Sequence, residues 1–326
     1  KLRPFVAASP YLGLRYFEER SKDFFFGRDA LVAQLLGMVV QRSLVLLAGA
    51  SGSGKSSVVR AGLIPQLSER LPQARFRHLI MTPDDDPFAA LQAALRSAGV
   101  PQAQLGRLES RTADAVIDAL TALRPAGELW LLVVDQLEQI FTRCGKAEWR
   151  AEFVRGLAEL AARTQAEIKT VLVMRSDFFD RLGPHPEFGA LAQKNLLLVP
   201  DMQASELRVA IEQPAARNGV IFEEGLVEQI IAEVKGRPGA LPLLQYTLNE
   251  LWRTDDPTDD RVLNTKSYQL LGGIEGALTK RADAIYLFSD VQRQVARKDS
   301  ERQAMRRLFL RVVDLTSHGV SAAAVS

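Results

Sequence analysis

Glycine at 49 and 54, followed by Lys55 and Ser56, gives the spacing Gly-x-x-x-x-Gly-Lys-Ser, with a further glycine at 52. Glycines so placed let successive backbone N–H groups turn toward one point, which makes a cradle for phosphate oxygens. Ser51 and Ser53 complete the loop, and Ser57 continues the hydroxyl run. Lys55 is placed to reach β- and γ-phosphates, and Ser56 to offer its hydroxyl to Mg²⁺. A helix beginning at the lysine would add its dipole to the attraction for anions. The competing reading is a Gly/Ser turn with a solvated lysine. Context separates the two, because a phosphate loop needs a buried strand before it and a helix after it.

Such a loop also needs a second metal partner, a carboxylate at the end of a neighbouring strand. Asp135, directly after the apolar run Leu131–Val134, fits that role. The next residue is Gln136, at a position where many ATPases carry a glutamate that activates water. An amide can orient a water but cannot take its proton near neutral pH, so slow hydrolysis is expected. Glu138 is the nearest carboxylate that could assist, or else a solvated first-turn residue of a helix. Arg175 follows another apolar run and is either a reader of the γ-phosphate or an ion-pair partner of Asp177 or Asp180. No guanine-reading motif occurs in a suitable place, which favours ATP, or its product ADP, over GTP.

The elements that must hold these residues are legible as short β-rich apolar runs: Leu44–Ala48, Phe76–Met81, Trp130–Val134, Thr170–Met174 and Leu196–Val199. Helical spacing fills the intervals at Pro87–Ala98, Thr112–Leu123 and Trp149–Ala162, and Asp84-Asp85-Asp86-Pro87 has the form of a helix cap. Strands alternating with helices predict an α/β fold with a parallel sheet covered on both faces. Beyond Pro200 the strand pattern stops. Ser205–Arg217, Glu224–Lys235 and Leu241–Trp252 read as helices, the last two separated by the breaker Gly236-Arg-Pro-Gly239. Arg253–Arg261 reads as an exposed loop. Met305, Leu308, Phe309 and Val312 form a helical apolar stripe. The division expected is a nucleotide-binding α/β domain over 1–200, a helical lid over 201–260 and a helical segment over 261–326.

Composition narrows the class. With 47% hydrophobic and 25% charged residues the chain can build ordinary cores. A net charge of +2 argues against a nucleic-acid or membrane field over the whole surface. The longest apolar runs are too short to span a bilayer, and no signal peptide is visible. Cys144 is the only cysteine, so no internal disulfide forms, and the usage fits a reducing cytoplasm. His78, His185 and His318 have no metal or triad spacing and are expected to be structural or surface residues. The chain begins without methionine and reads as a piece of a longer protein.

These residues together resemble a known family, the STAND ATPases (signal transduction ATPases with numerous domains), which are related to the NACHT, NB-ARC and AAA+ modules. The branch most similar is the bacterial novel STAND NTPase 1. The resemblance runs from near Pro10 to about Phe309. It rests on Pro10-Tyr-Leu-Gly-Leu14, Phe24-Phe-Phe-Gly-Arg28, Gly49–Leu63, Asp135-Gln-Leu-Glu138, Arg175-Ser-Asp-Phe178 and Leu241-Pro-Leu-Leu-Gln245 running to Trp252. It implies a five-stranded P-loop NTPase sheet of order 5-1-4-3-2, a helical lid and then a winged-helix domain, here only begun. It also implies that Phe26 and Arg28 lie beside adenine and ribose and that Pro242 touches the base. Members behave as ATP/ADP switches that control self-assembly into oligomers, with effector and sensor domains fused outside this stretch. A bacterial defence or signalling role is therefore expected.

Two other readings compete. One is an ATP-dependent DNA-binding protein of the origin-recognition type, using Arg293, Arg297, Lys298, Arg302, Arg306, Arg307 and Arg311 on phosphates. Against it, these residues also read as the solvated face opposite the Met305–Val312 stripe, which makes nucleic acid a disfavoured partner. The other is a scaffold that binds nucleotide without hydrolysing it.

Overall fold

A computed structural model of the chain describes residues 3–71, 75–163, 167–237, 239–289, 295–316 and 319–322, with side chains through residue 310. Five strands, β1 (Leu44–Gly49), β2 (Phe76–Met81), β3 (Leu129–Val134), β4 (Ile168–Arg175) and β5 (Leu196–Leu198), form one sheet in the order β2-β3-β4-β1-β5. All its pairings are parallel. This is the expected order, 5-1-4-3-2, viewed from the other edge.

Alternate residues of the central strands feed two different cores, because successive side chains point to opposite faces. Leu44, Leu46 and Ala48 pack with Leu132, Val134, Leu172 and Met174 on one face. Val45 and Leu47 pack with Leu131, Val133, Val171 and Val173 on the other. With both faces covered, the strands are continuous apolar runs without polar alternation. The flanking helices start where the sequence supplies caps. The Asp86 side chain accepts from the backbone N–H of Phe88 and Ala89, both at 3.0 Å, and opens Pro87–Ser97. Thr112 does the same for Ala113–Ala122 through Ala115. A helix over residues 55–70 leaves the loop after β1, with its middle, Val58–Leu63, wound as a π-helix.

The region after Pro200 has its own core. Helices Ala204–Arg217, Leu226–Val234, Leu241–Asp255, Thr265–Leu271 and Gly273–Leu287 bury Leu207, Ile211, Ile230, Leu248, Trp252, Tyr268 and Ile274 together. The N-terminal strap joins this core. Tyr11 is buried in it and donates its hydroxyl to the Ile211 carbonyl at 2.6 Å. Asn218 Nδ2 donates to Ala8 O at 2.8 Å, and Trp252 Nε1 to Ala7 O at 2.9 Å. From there the strap crosses to the sheet domain, where the Phe17 amide donates to Ser57 Oγ at 3.1 Å.

Two features depart from the helical expectation. β6 (Ile221–Phe222) and β7 (Val262–Leu263) pair in parallel, and β8 (Val313–Thr316) and β9 (Gly319–Ala322) form an antiparallel hairpin. β6 and β7, at two residues each, are too short to show a period. In the final helix, Asp299–Val312, the expected stripe does not bury. Leu308 and Phe309 are each 57% exposed, and no described element covers them. Arg293, His318 and residues 323–326 lie outside the described residues, as do the side chains of Arg311 and Val312. Among the described residues no helix is long and apolar enough to cross a membrane.

Candidate functional site

β1 delivers its last residue, Gly49, into a tight spot: an added Cβ would sit 3.0 Å from both Ser53 Oγ and Val199 Cβ. Gly52 and Gly54 then take φ values of +72° and +88°, which favour glycine. Ser51 is exposed at the outer turn, whereas Ser53 is buried and its hydroxyl has no hydrogen-bond partner. Lys55, only 9% exposed, bends back and donates from Nζ to the carbonyls of Gly49 (3.0 Å) and Ala50 (2.7 Å). Burial holds its ammonium below the usual lysine pKa, opposed by the nearby Glu138 carboxylate. The strand, loop and helix required by the phosphate-loop reading are all in place. Ser57, expected among the ligand contacts, spends its hydroxyl on the strap at Phe17.

Asp135 is carried to the loop by β3 and fixed by its amide, which donates to Met81 O at 2.8 Å. Ser56 Oγ donates to Asp135 Oδ1 at 2.9 Å, so the two expected metal residues meet. The other carboxylate oxygen is taken by Arg60, with Nη2 at 3.1 Å and Nε at 3.3 Å from Oδ2. Arg60 also stacks over Tyr16, 4.8 Å from the ring centroid. A hydroxyl beside a carboxylate suits Mg²⁺, a hard cation that prefers oxygen and needs few protein ligands when phosphates and water complete its shell. Among the described residues no group of three or more His, Cys, Asp or Glu side chains is placed to hold a metal ion by itself, so further ligands here would come from the nucleotide and water.

After Asp135 the chain hooks. Gln136 takes φ +56°, the left-handed region, and is exposed, its side-chain oxygen accepting from Gln139 Nε2 at 2.6 Å. Leu137 anchors the hook by donating to Val173 O at 2.8 Å. Glu138 is thereby turned back toward β4, where its Oε2 accepts from the Arg175 amide at 3.2 Å. Burial pushes its carboxyl pKa up. Arg175 stands at the same sheet edge, but its guanidinium is paired with Asp177 at 2.6 and 3.0 Å. Of the two sequence alternatives for Arg175, the ion pair is the arrangement present.

A cleft of about 230 Å³ opens above the loop, between the sheet domain and the helical region. Its floor is Gly52, Gly54, Lys55, Ser56 and Ser57. One wall is Phe24–Phe26 with Arg28, and the other is Leu241, Pro242, Leu244 and Gln245. Strap residues Gly13–Phe17 close it. Arg28 is 3% exposed and donates from Nη2 to Ser53 O at 3.2 Å, leaving Nε and Nη1 without partners. The Arg217 guanidinium lies 5.1 Å from the ring centroid of Phe26. The helical region also touches the loop directly: a Cβ on Gly52 would meet Gly239 Cα at 3.0 Å and Pro242 Cδ at 3.2 Å. Phe26, Arg28 and Pro242, far apart in sequence, therefore face one space, whereas Gln136 does not line it.

The sequence model of one family, Novel STAND NTPase 1, matches residues 10–325. The chain belongs to that family. No curated protein shows a significant sequence match to it. Among solved structures, the Aeropyrum pernix ORC1 protein in complex with DNA aligns with a TM-score of 0.60 at 16% identity, over 81% of this chain and 68% of that one. The Aeropyrum pernix ORC2 protein, solved in ADPNP–ADP complexes, gives 0.57 at 11% identity over 91% and 89%. A Walker-type ATPase of Pyrococcus abyssi gives 0.52 at 14% over 99% and 96%. At these identities the likeness is one of fold. In this novel STAND NTPase, sequence reasoning missed Arg60, Gln245 and the strap at Tyr16 and Phe17. Arg60 carried a signal, since it follows Ser56 by four residues, one helical turn away on the same face, and Gln245 stood within a motif of the resemblance without a role assigned to it.

Proposed function

We propose that this chain is the ATP/ADP-binding switch of a larger signalling protein, a slow ATPase whose nucleotide state sets the position of the helical region and, through it, self-association. The observation that carries the reading is the cleft between two separately cored bodies, with the phosphate loop on one and Pro242 on the other. A ligand there touches both, so its loss or shortening changes how they are held. In this reading the Gly49–Ser57 loop holds the phosphates. Lys55 turns from its carbonyls to the β- and γ-phosphates, and Ser56 and Asp135 hold Mg²⁺. Phe26, Arg28 and Pro242 flank base and ribose. Glu138 orients or activates water, Gln136 cannot serve as base, and Arg175 exchanges Asp177 for the γ-phosphate. Fused effector and sensor domains would read and set the switch, plausible outputs being bacterial defence or signal transduction in the cytoplasm.

The test is nucleotide content of the purified chain and of Lys55→Ala. Bound ATP or ADP that disappears in the variant supports the reading, while a nucleotide-free protein indifferent to Lys55→Ala refutes it. Turnover above about 1 s⁻¹, the low end of ordinary enzymes, would count against a switch. Comparing ADP formation in the wild type and Glu138→Ala separates a slow ATPase from a scaffold that never hydrolyses. A second reading, binding of duplex DNA, draws on the exposed Arg306 and Arg307 of the last helix and on the fold of the DNA-bound neighbour. Salt-dependent binding of duplex DNA by the chain would favour it.

A further inference from the structure

Seven polar side-chain atoms in the described residues are buried without a hydrogen-bond partner; three, on Arg124, Thr170 and Thr247, belong to residues that do not line the cleft, and the other four gather around it. Arg28 contributes two, Ser53 one and Gln245 one. Arg28 and Gln245 line the cleft, and Ser53 belongs to the loop that floors it. Folded chains pair nearly all such atoms, so a cluster of exceptions around one space calls for an external partner. Arg28 and Ser53 offer donors close to the phosphate loop, as an anion site requires. Gln245 Oε1 is different. It is an acceptor, and it asks for a donor.

Its position says which part of a ligand supplies one. Leu241 packs over Gly54, its Cδ1 3.9 Å from where a Cβ would stand, and Pro242 lies against Gly52. Gln245 is four residues beyond Leu241 on the same helix and face, about 6 Å farther along the axis from the loop. The lining of the cleft includes Leu14, Phe25, Ala210, Leu241 and Leu244, apolar side chains suited to a planar base. We propose that Gln245 is the base-reading residue of this site, its amide oxygen accepting from the exocyclic amino group of adenine and its amide nitrogen donating to adenine N1. An amide matches that edge because adenine sets an N–H donor beside a ring-nitrogen acceptor. The inference rests on the nucleotide reading above and adds the residue that selects the base.

The experiment is a cycle of two proteins and two ligands. ATP and the triphosphate of purine riboside, which lacks the amino group, are titrated with Mg²⁺ against wild type and Gln245→Met. Methionine keeps the side chain's length and removes both polar atoms. Wild type should bind ATP about tenfold more tightly than the purine analogue, the size of one good hydrogen bond. Gln245→Met should bind the two equally, with the analogue weakened about tenfold by loss of the bond to N1 and ATP about a hundredfold by loss of both bonds. Matching urea unfolding curves for the two proteins would show that the substitution leaves the fold intact. Loss of both ligands to the same extent would make Gln245 a packing residue and overturn the proposal. So would unchanged ATP binding in Gln245→Met while Lys55→Ala abolishes it, an outcome that leaves the nucleotide reading standing. Wild type that binds neither ligand would remove that reading as well.

Discussion

Gly52 and Gly54 lie in the same loop with the same handedness of backbone, yet their substitution should have different consequences. Each has φ in the left-handed region, where an alanine costs about 1–2 kcal/mol. At Gly54 that is the whole cost, because an added Cβ meets only Leu241 Cδ1 at the ordinary distance of 3.9 Å. At Gly52 the methyl would run into Gly239 Cα at 3.0 Å, Gly239 O at 3.1 Å and Pro242 Cδ at 3.2 Å. Two of these are backbone atoms, which cannot rotate aside. Overpacking of this kind adds about 1–3 kcal/mol, or the helical region moves off the loop to escape it. Gly54→Ala should therefore lose about 1–2 kcal/mol and Gly52→Ala about 2–5 kcal/mol. Urea unfolding of the nucleotide-free proteins measures the totals. Hydrogen exchange at Gly239–Gln245 reports whether the contact has opened, and faster exchange is expected there in Gly52→Ala alone. Equal stability losses with identical exchange in the two variants would mean that the loop and helical region are not coupled through this contact.

The pairing of Arg60 with Asp135 yields a second prediction. The Asp135 side chain is 4% exposed and that of Arg60 18%, so Arg60→Met leaves a nearly buried carboxylate with only Ser56. Losses of about 3–5 kcal/mol are typical of a broken buried pair, and adding Asp135→Asn should restore most of it; simple additivity in urea unfolding would show that the two are uncoupled. Glu138 supplies a pH prediction. Its folded pKa is raised above the ordinary 4.5, so ionising it costs the folded state, a cost absent below pH 4.5 and incurred as pH rises through the raised value. Glu138→Gln should thus gain stability relative to wild type between pH 4.5 and neutrality, and a gain that instead grows on acidification would reverse the assigned cause.

What could be read from the sequence was whatever is encoded locally. The five strands are runs buried on both faces, so Leu44–Ala48 or Phe76–Met81 needs no partner to be recognised, and the sheet order followed from the family resemblance. The phosphate loop and Asp135 were legible for the same reason, each tied to the end of such a run. The missing parts depend on proximity across the chain. Arg60 reaches Asp135 over 75 positions, and Tyr11 reaches Ile211 over 200. Nothing near Tyr11 marks the strap as part of the helical core. The apolar stripe of the last helix shows the opposite failure: its helical period is real, but period specifies a face and not what covers it.

The charged groups of the site share one property that bears on the switch. Without ligand, Lys55 is held by loop carbonyls, Asp135 by Arg60, and Arg175 by Asp177, while Glu138 takes an amide of β4. Apart from the unpartnered Ser53 hydroxyl, a triphosphate entering the loop meets side chains that already have partners. It must exchange with existing partners, and each exchange returns only the difference between two good contacts. At the base end the situation is reversed, since Gln245 Oε1 has no partner to give up. On the switch reading, the base end then holds ATP and ADP alike. The phosphate end in addition rearranges Lys55, Arg60 and Arg175. That division suits a device that must keep its nucleotide bound while responding to the presence of one terminal phosphate, because the response requires a difference between states and not a large total.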